Sequence, residues 1–139
     1  MKLRLATKDD IPLIEYWDRQ PHVINSGGDD DHFDWEFEIS RQTFWQEILI
    51  AEIKGVALGV IQIIDPENEE THYWGNVESN LRAIDIWIGE AKNLGKGFGT
   101  QMMHLALEKC FTDEKIKAVI IDPLTTNIRA IKFYQKIGF

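Results

Sequence analysis

A single cysteine, Cys110, rules out an internal disulfide and a cysteine-built zinc site. Basic residues are also scarce: 15 Lys and Arg stand against 23 Asp and Glu, a formal charge of -8. Such a surface repels phosphate backbones and anionic lipid, which argues against nucleic-acid and membrane partners and favours a small cationic molecule. No uncharged run approaches a membrane span, and Met1-Lys2-Leu3-Arg4-Leu5 lacks the apolar stretch of a secretion signal, so the chain reads as cytoplasmic. Internal repeats and low-complexity tracts are missing. What the 139 residues do contain, 44% hydrophobic and 11% aromatic side chains, suffices for one packed domain and leaves no room for a second core.

Residues 2–6 alternate as a strand does, and Thr7-Lys8-Asp9-Asp10 forms a capping box before the apolar positions Ile11, Leu13, Ile14 and Trp17 of a helix. Residues 21–34, with Pro21, Ser26-Gly27-Gly28 and Asp29-Asp30-Asp31, are expected to be a flexible acidic loop. A short helix over 34–42 follows. Two β-rich segments, 45–53 and 56–64, flank Lys54-Gly55, the spacing of a two-residue hairpin turn. Residues 65–79 suit an exposed polar loop. The second half then runs strand (81–89), glycine-rich turn, helix (100–111), short buried strand (118–122) and helix (127–136) ended by Gly138. That order predicts parallel pairing across a right-handed crossover. The fold class is therefore α/β (α+β), with antiparallel strands first.

Leu94-Gly95-Lys96-Gly97-Phe98-Gly99-Thr100 puts three glycines between a strand and a helix. Residues without side chains let a ligand approach the backbone, and the first N–H groups of the helix point at it unpaired, so an anionic group such as a phosphate fits; a merely tight connection has the same composition. A P-loop is excluded because Gly97, not Ser or Thr, follows Lys96, and a dinucleotide fingerprint because Met102 stands three after Gly99.

Ile84-Asp85-Ile86-Trp87-Ile88-Gly89, the Leu94–Thr100 turn, Ile121-Asp122-Pro123 and the stretch from Asn127 through Tyr134 to Gly138-Phe139 together resemble the acetyl-CoA-binding half of the GNAT superfamily of N-acetyltransferases, nearest the aminoglycoside 6'-N-acetyltransferase-like group. The match lies in residues 83–139; the first eighty residues agree only in element order. The resemblance implies a mixed central sheet and acetyl-CoA as co-substrate. It implies main-chain groups of Ile86, Trp87 and Ile88 against the pantetheine arm and the amides of Lys96, Gly97, Phe98, Gly99 and Thr100 around the pyrophosphate. Asn127 would meet the pantetheine, Ala130 would line the same groove, and Tyr134 would protonate the departing CoA thiolate. Seven residues apart, Asn127 and Tyr134 do share a helical face. Leu94 departs from the Gln or Arg that many members carry there. The family also continues past the Gly-Phe pair with a further strand, so residues 1–139 read as a single N-acetyltransferase domain, either truncated at its C-terminus with the final strand missing or with its sheet completed differently.

Asp85 interrupts an apolar strand, where a carboxylate is costly unless it is paired or used. It shares a strand face with Leu81, Ala83 and Trp87, and Asp122 ends the next strand, where ligands of open parallel sheets lie. An amine arrives as an ammonium ion and needs a proton acceptor before it can attack. Asp85 is the candidate, as base or as an anchor for the cation; a surface or salt-bridged acid is the alternative. A backbone N–H near Ile86 would meet the oxyanion. Tyr73 and Trp74 offer an aromatic wall to the substrate. The four histidines lack metal-like spacing and are taken as surface or loop residues, no metal is expected, and Cys110 is assigned to the core. The function expected is acetyl transfer from acetyl-CoA to a primary amine of a small cation, an aminoglycoside among the options, by a monomer or homodimer. Protein N-terminal acetylation, siderophore-precursor acylation and a non-catalytic CoA-binding domain stay open beside it.

Overall fold

The computed structural model describes residues 1–27 and 33–139. Five strands form one mixed sheet in sequential order, β1 (Lys2–Leu5), β2 (Gln46–Ile53), β3 (Val56–Ile64), β4 (Leu81–Ile88) and β5 (Ala118–Ile120). The first four pair antiparallel and β5 runs parallel to β4, as the element order predicts. Three short helices, α1 (Ile11–Asp18), α2 (Pro21–Gly27) and α3 (Trp35–Arg41), and two longer ones, α4 (Phe98–Phe111) and α5 (Ile128–Ile137), complete the mixed α/β architecture.

β2 and β3 are apolar on both faces because both faces are covered. On one side Leu49, Ala51, Ile61, Ile63 and Ile84 pack against Met102, Met103 and Ala106 of α4. Those helical residues recur at the spacing of one helix face. On the other side Ile48, Ile50 and Val60 pack against Ile14 and Trp17 of α1 and Trp35 of α3. Each fully buried side chain of this size contributes about 2 kcal/mol relative to exposure. Cys110 lies in the first core with its thiol pushed up to about 11 by burial, as expected of an inert packing residue.

Local chemistry accounts for the joints. Lys54 and Gly55 both sit at positive φ (51° and 78°), which fits the twist of a two-residue hairpin. The Asp10 carboxylate accepts from the Thr7 N–H at 2.8 Å, as a capping box requires, and starts a short 3-10 turn that leads into α1. Asp34 caps α3, its side chain accepting from the Phe37 N–H at 3.0 Å.

Three expectations need correction. Residues 21–27 are helical, not loop: Pro21 is preorganised for a first helical position, and the Val23 and Ile24 amides both donate to the Gln20 carbonyl. The Asp29-Asp30-Asp31 part of that expected acidic loop lies outside the described residues. In the 65–79 loop, Pro66 and Glu69 are buried; the Glu69 carboxylate accepts from the Thr71 and Tyr73 amides and the Thr71 hydroxyl, which folds the loop on itself. β5 is a half-buried edge strand, shorter than the stretch 118–122.

Candidate active site

The site gathers where β4 and β5 part. The Gly89 N–H donates to the Leu58 carbonyl at 2.9 Å, and antiparallel hydrogen bonding alternates by two, so the main chain of Trp87 and Asp85 also turns towards β3. That of Ile86 and Ile88 turns the other way. β5 pairs with β4 only from Leu81 to Ala83, so beyond Ala83 these N–H and C=O groups line an edge without a strand partner among the described residues. An extended, amide-containing chain can add to such an edge as a further strand. The half-buried side chains of Ile86 and Ile88 brace it from the α4 and α5 side.

Gly89 ends this strand for a steric reason: a Cβ there would fall inside the buried indole of Trp17, which lies across the β4 terminus. The glycine turn follows. Gly97 caps α4 at φ 82°, a left-handed conformation that disfavours a side chain, and a Cβ on it would meet open space. The first helical bond runs from the Gln101 N–H to the Gly97 carbonyl, so the amides of Phe98, Gly99 and Thr100 have no partner within the helix. Lys96 is exposed beside them. Amides converging at a helix start are an anion site, and the dipole of the long α4 adds to it.

Tyr134 on α5 and Asp85 on β4 look into the same region. Asp85 keeps an open face to solvent while protein crowds its other sides; desolvation, then the charge of Asp122, pushes its carboxyl above the ordinary carboxylate range. Burial, then the Asp85 charge, pushes the Tyr134 hydroxyl up to about 12. Asp85 therefore feels the charge of Asp122, and Tyr134 that of Asp85. Among the described residues Asp85 forms no ion pair, which removes the salt-bridged reading, while its exposure agrees with the reading of a surface acid. The Tyr73 hydroxyl donates to Asp122, and Tyr73 and Trp74 stack edge to face with ring centroids 5.3 Å apart, which brings the loop 65–79 to the acid pair. Asn127 is the N-cap of α5, its Oδ1 accepting from the Ala130 N–H at 3.1 Å, so its Nδ2 is the atom left to face a ligand.

Two residues of this region were not singled out by the sequence. Gln62, 7% exposed, is the cross-strand partner of Asp85 and shares its face. Its signal was the one that marked Asp85, a polar residue inside an apolar strand. His22 was taken for a surface or loop residue; it is half-buried on α2 and its Nε2 bonds the Ile88 carbonyl at 2.8 Å. Helical structure over 21–27, invisible to the loop reading, is what carries it there. A cavity of about 300 Å³ between β1, α3 and β2 lies apart from the acid pair. Among the described residues no His, Cys, Asp and Glu cluster could hold a metal ion.

The family profile described as an acetyltransferase (GNAT) domain matches residues 6–139. Aminoglycoside N(6')-acetyltransferase type 1 from Klebsiella pneumoniae is 28% identical over 145 residues, spanning 99% of this chain and 72% of that one. A kanamycin resistance protein from Rhizobium radiobacter is 35% identical over 72 residues, 51% of this chain and 67% of its own. Among solved structures, aminoglycoside acetyltransferase AAC(6')-Ib with ribostamycin and coenzyme A superposes with a TM-score of 0.87 at 26% identity, covering 99% of this chain and 82% of that chain. The same enzyme with coenzyme A alone gives 0.85, again at 26% identity, over 99% and 83% of the two chains. Fold, site and relatives together define an N-acetyltransferase that uses acetyl-CoA as its co-substrate. The chain belongs to the GNAT acetyltransferase family.

Proposed function

We propose that this chain is a single catalytic domain that acetylates a primary amine of an aminoglycoside-like polycation, working in the cytoplasm, where acetyl-CoA is available. Acetyl-CoA lies along the open edge of β4, its pantetheine against the main chain of Ile86 to Ile88 and beside Asn127 and Ala130, its pyrophosphate on the amides of Lys96 to Thr100. The acyl end then falls next to Asp85. The amine docks between Asp85 and Asp122, with Trp74 and Gln62 at its flanks.

In a ternary complex, Asp85 accepts a proton from the ammonium ion, directly or through water, and so exposes the nitrogen lone pair. The nitrogen attacks the thioester carbon, and the amide N–H of Ile86 or its neighbour meets the oxygen as it gains charge. As the C–S bond breaks, the sulfur takes the proton of the Tyr134 hydroxyl, and the proton shed by the new amide nitrogen returns to Tyr134. A hydroxyl pushed up to about 12 stays protonated at neutral pH, as a donor must. No covalent enzyme intermediate is required.

One observation carries this reading: Asp85 stands at the split between β4 and β5 within reach of the Asp122 charge, which pushes its carboxyl up, with no cation from the described residues beside it. Such a pair is stabilised by a cationic ligand. Thiol release from acetyl-CoA, measured with kanamycin, spermidine and an N-terminal peptide as acceptors, tests it. Turnover with kanamycin at a kcat/KM well above the other two is expected; preference for the peptide or the polyamine would overturn the aminoglycoside assignment.

A further inference from the structure

The open edge of β4 is closed at one point by a residue from elsewhere in the fold. The Ile88 carbonyl belongs to the set that turns away from β3, and His22 reaches it from α2 across 66 positions of sequence, with Nε2 and oxygen 2.8 Å apart. A carbonyl oxygen only accepts, so Nε2 carries the proton and a neutral ring has its lone pair on Nδ1. That Nδ1 is buried with no hydrogen-bond partner among the described residues. The Nε2 bond is therefore the polar contact that holds the imidazole, and the ring is held against the strand at the site, not in a network of its own.

The position of this contact gives it a consequence. Without it the Ile88 carbonyl would be one more open acceptor, and the strand end, followed by Gly89, would have no side-chain hydrogen bond from the described residues to fix it. With it, the edge left to an extended ligand stops at the Ile88 N–H. We propose that His22 is a positioning residue for acetyl-CoA: by capping the last open carbonyl of β4 it sets the end of the ligand-binding edge and the direction of the amides on it. This rests on acetyl-CoA lying along β4, as proposed above.

The test uses the whole chain and isothermal titration with acetyl-CoA alone, each variant's Tm being measured in parallel. The amide nitrogen of Gln sits where imidazole Nε2 does, whereas that of Asn sits nearer Nδ1 and falls short. Loss of one such hydrogen bond is expected to weaken acetyl-CoA binding about tenfold in His22→Asn and His22→Leu. His22→Gln should stay within about twofold of the parent, and in turnover assays the effect should fall on the KM for acetyl-CoA with kcat at saturation retained. A part in packing alone would lower Tm in all three variants with no rescue by Gln. Equal affinity in His22→Asn and the parent, or equal weakening in Asn and Gln, overturns the proposal. If the Asn and Leu variants fail to fold, nitrogen-15 NMR of the parent decides: an Nε2-protonated ring whose signal moves on adding acetyl-CoA is required, and an Nδ1-protonated or unresponsive ring refutes it. Gly97→Ala is the control for the cofactor's place. If it binds as tightly as the parent, the location on β4 falls; if it weakens and His22→Asn does not, only the role of His22 falls.

Discussion

Asp85 and Tyr134 carry opposite tasks through the same physical cause. Crowding by protein raises both, which makes the carboxyl a better proton acceptor than an exposed aspartate and keeps the phenol a proton donor through neutral pH. Asp85→Asn is expected to lower kcat/KM by about 10²-fold or more, the usual reach of a positioned base. It should also remove the acidic limb of the pH–rate profile, which in the parent lies above the ordinary aspartate value of 3.8 because Asp85 must be ionised to act. A raised carboxyl pKa means that the fold binds this proton more tightly than the unfolded chain. Stability is then lost as pH rises past the unfolded value, and Asp85→Asn should melt higher than the parent at pH 7. Lower turnover with a higher Tm is the joint outcome; an unchanged rate would remove Asp85 from the reaction. Tyr134→Phe keeps the ring's packing against Phe133 and Phe139 and is expected to reduce kcat about tenfold or more while acetyl-CoA still binds.

At the scale of elements, the β4 terminus is where packing and chemistry meet. Trp17 of α1 lies over Gly89, His22 of α2 bonds Ile88, and Trp35 of α3 stacks on Trp87 with centroids 5.6 Å apart, so three short N-terminal helices press on one strand end. Gly89→Ala drives a Cβ into a buried indole that is 1% exposed. Overpacking of this kind costs about 1–3 kcal/mol, and thermal unfolding of the variant should show that loss together with weaker acetyl-CoA binding, since the displaced strand end carries the open edge. The hairpin of β2 and β3 was legible because Lys54-Gly55 demands a two-residue turn, and α4 because Met102, Met103 and Ala106 mark one face. The helix α2 was not. Its Pro21 and Ser26-Gly27 are loop-forming by composition, and the local support for a helix, Pro21 at its first position and the Gln20 carbonyl accepting from Val23 and Ile24, is joined by a contact with β4, distant in sequence.

Across the whole molecule, an ion network fastens the first strand to the rest. The Arg4 guanidinium donates to both oxygens of Asp10 at 2.8 Å and to Glu52 at 2.9 Å, tying β1 to β2 and to the turn before α1. These bonds hold both carboxyls below their ordinary values of 3.8 and 4.5, so their contribution is complete at neutral pH and is lost as pH falls below that range. Arg4→Met is therefore expected to be less stable than the parent at pH 7, and the gap should narrow as the pH of the unfolding measurement falls below the ordinary carboxylate values of 4.5 and 3.8. A constant gap would mean that the loss is packing and not charge. No helix among the described residues is long and apolar enough to cross a membrane.

The sequence by itself determined the order of elements apart from α2, the glycine-led helix start and the identity of Asp85 and Asp122 as candidates, because each is written in local chemistry: a turn that needs positive φ, a helix period, an acid in or at the end of an apolar strand. Tyr134 was legible only through the resemblance of the last helix to the GNAT family. The tertiary structure alone decided that β5 stops opposite Ala83 and leaves the β4 edge open, that Gln62 stands across from Asp85, and that His22 caps Ile88. Those facts depend on strand register and on helices packed from residues tens of positions away, and burial and hydrogen bonding between distant segments leave no periodic mark on the chain that makes them.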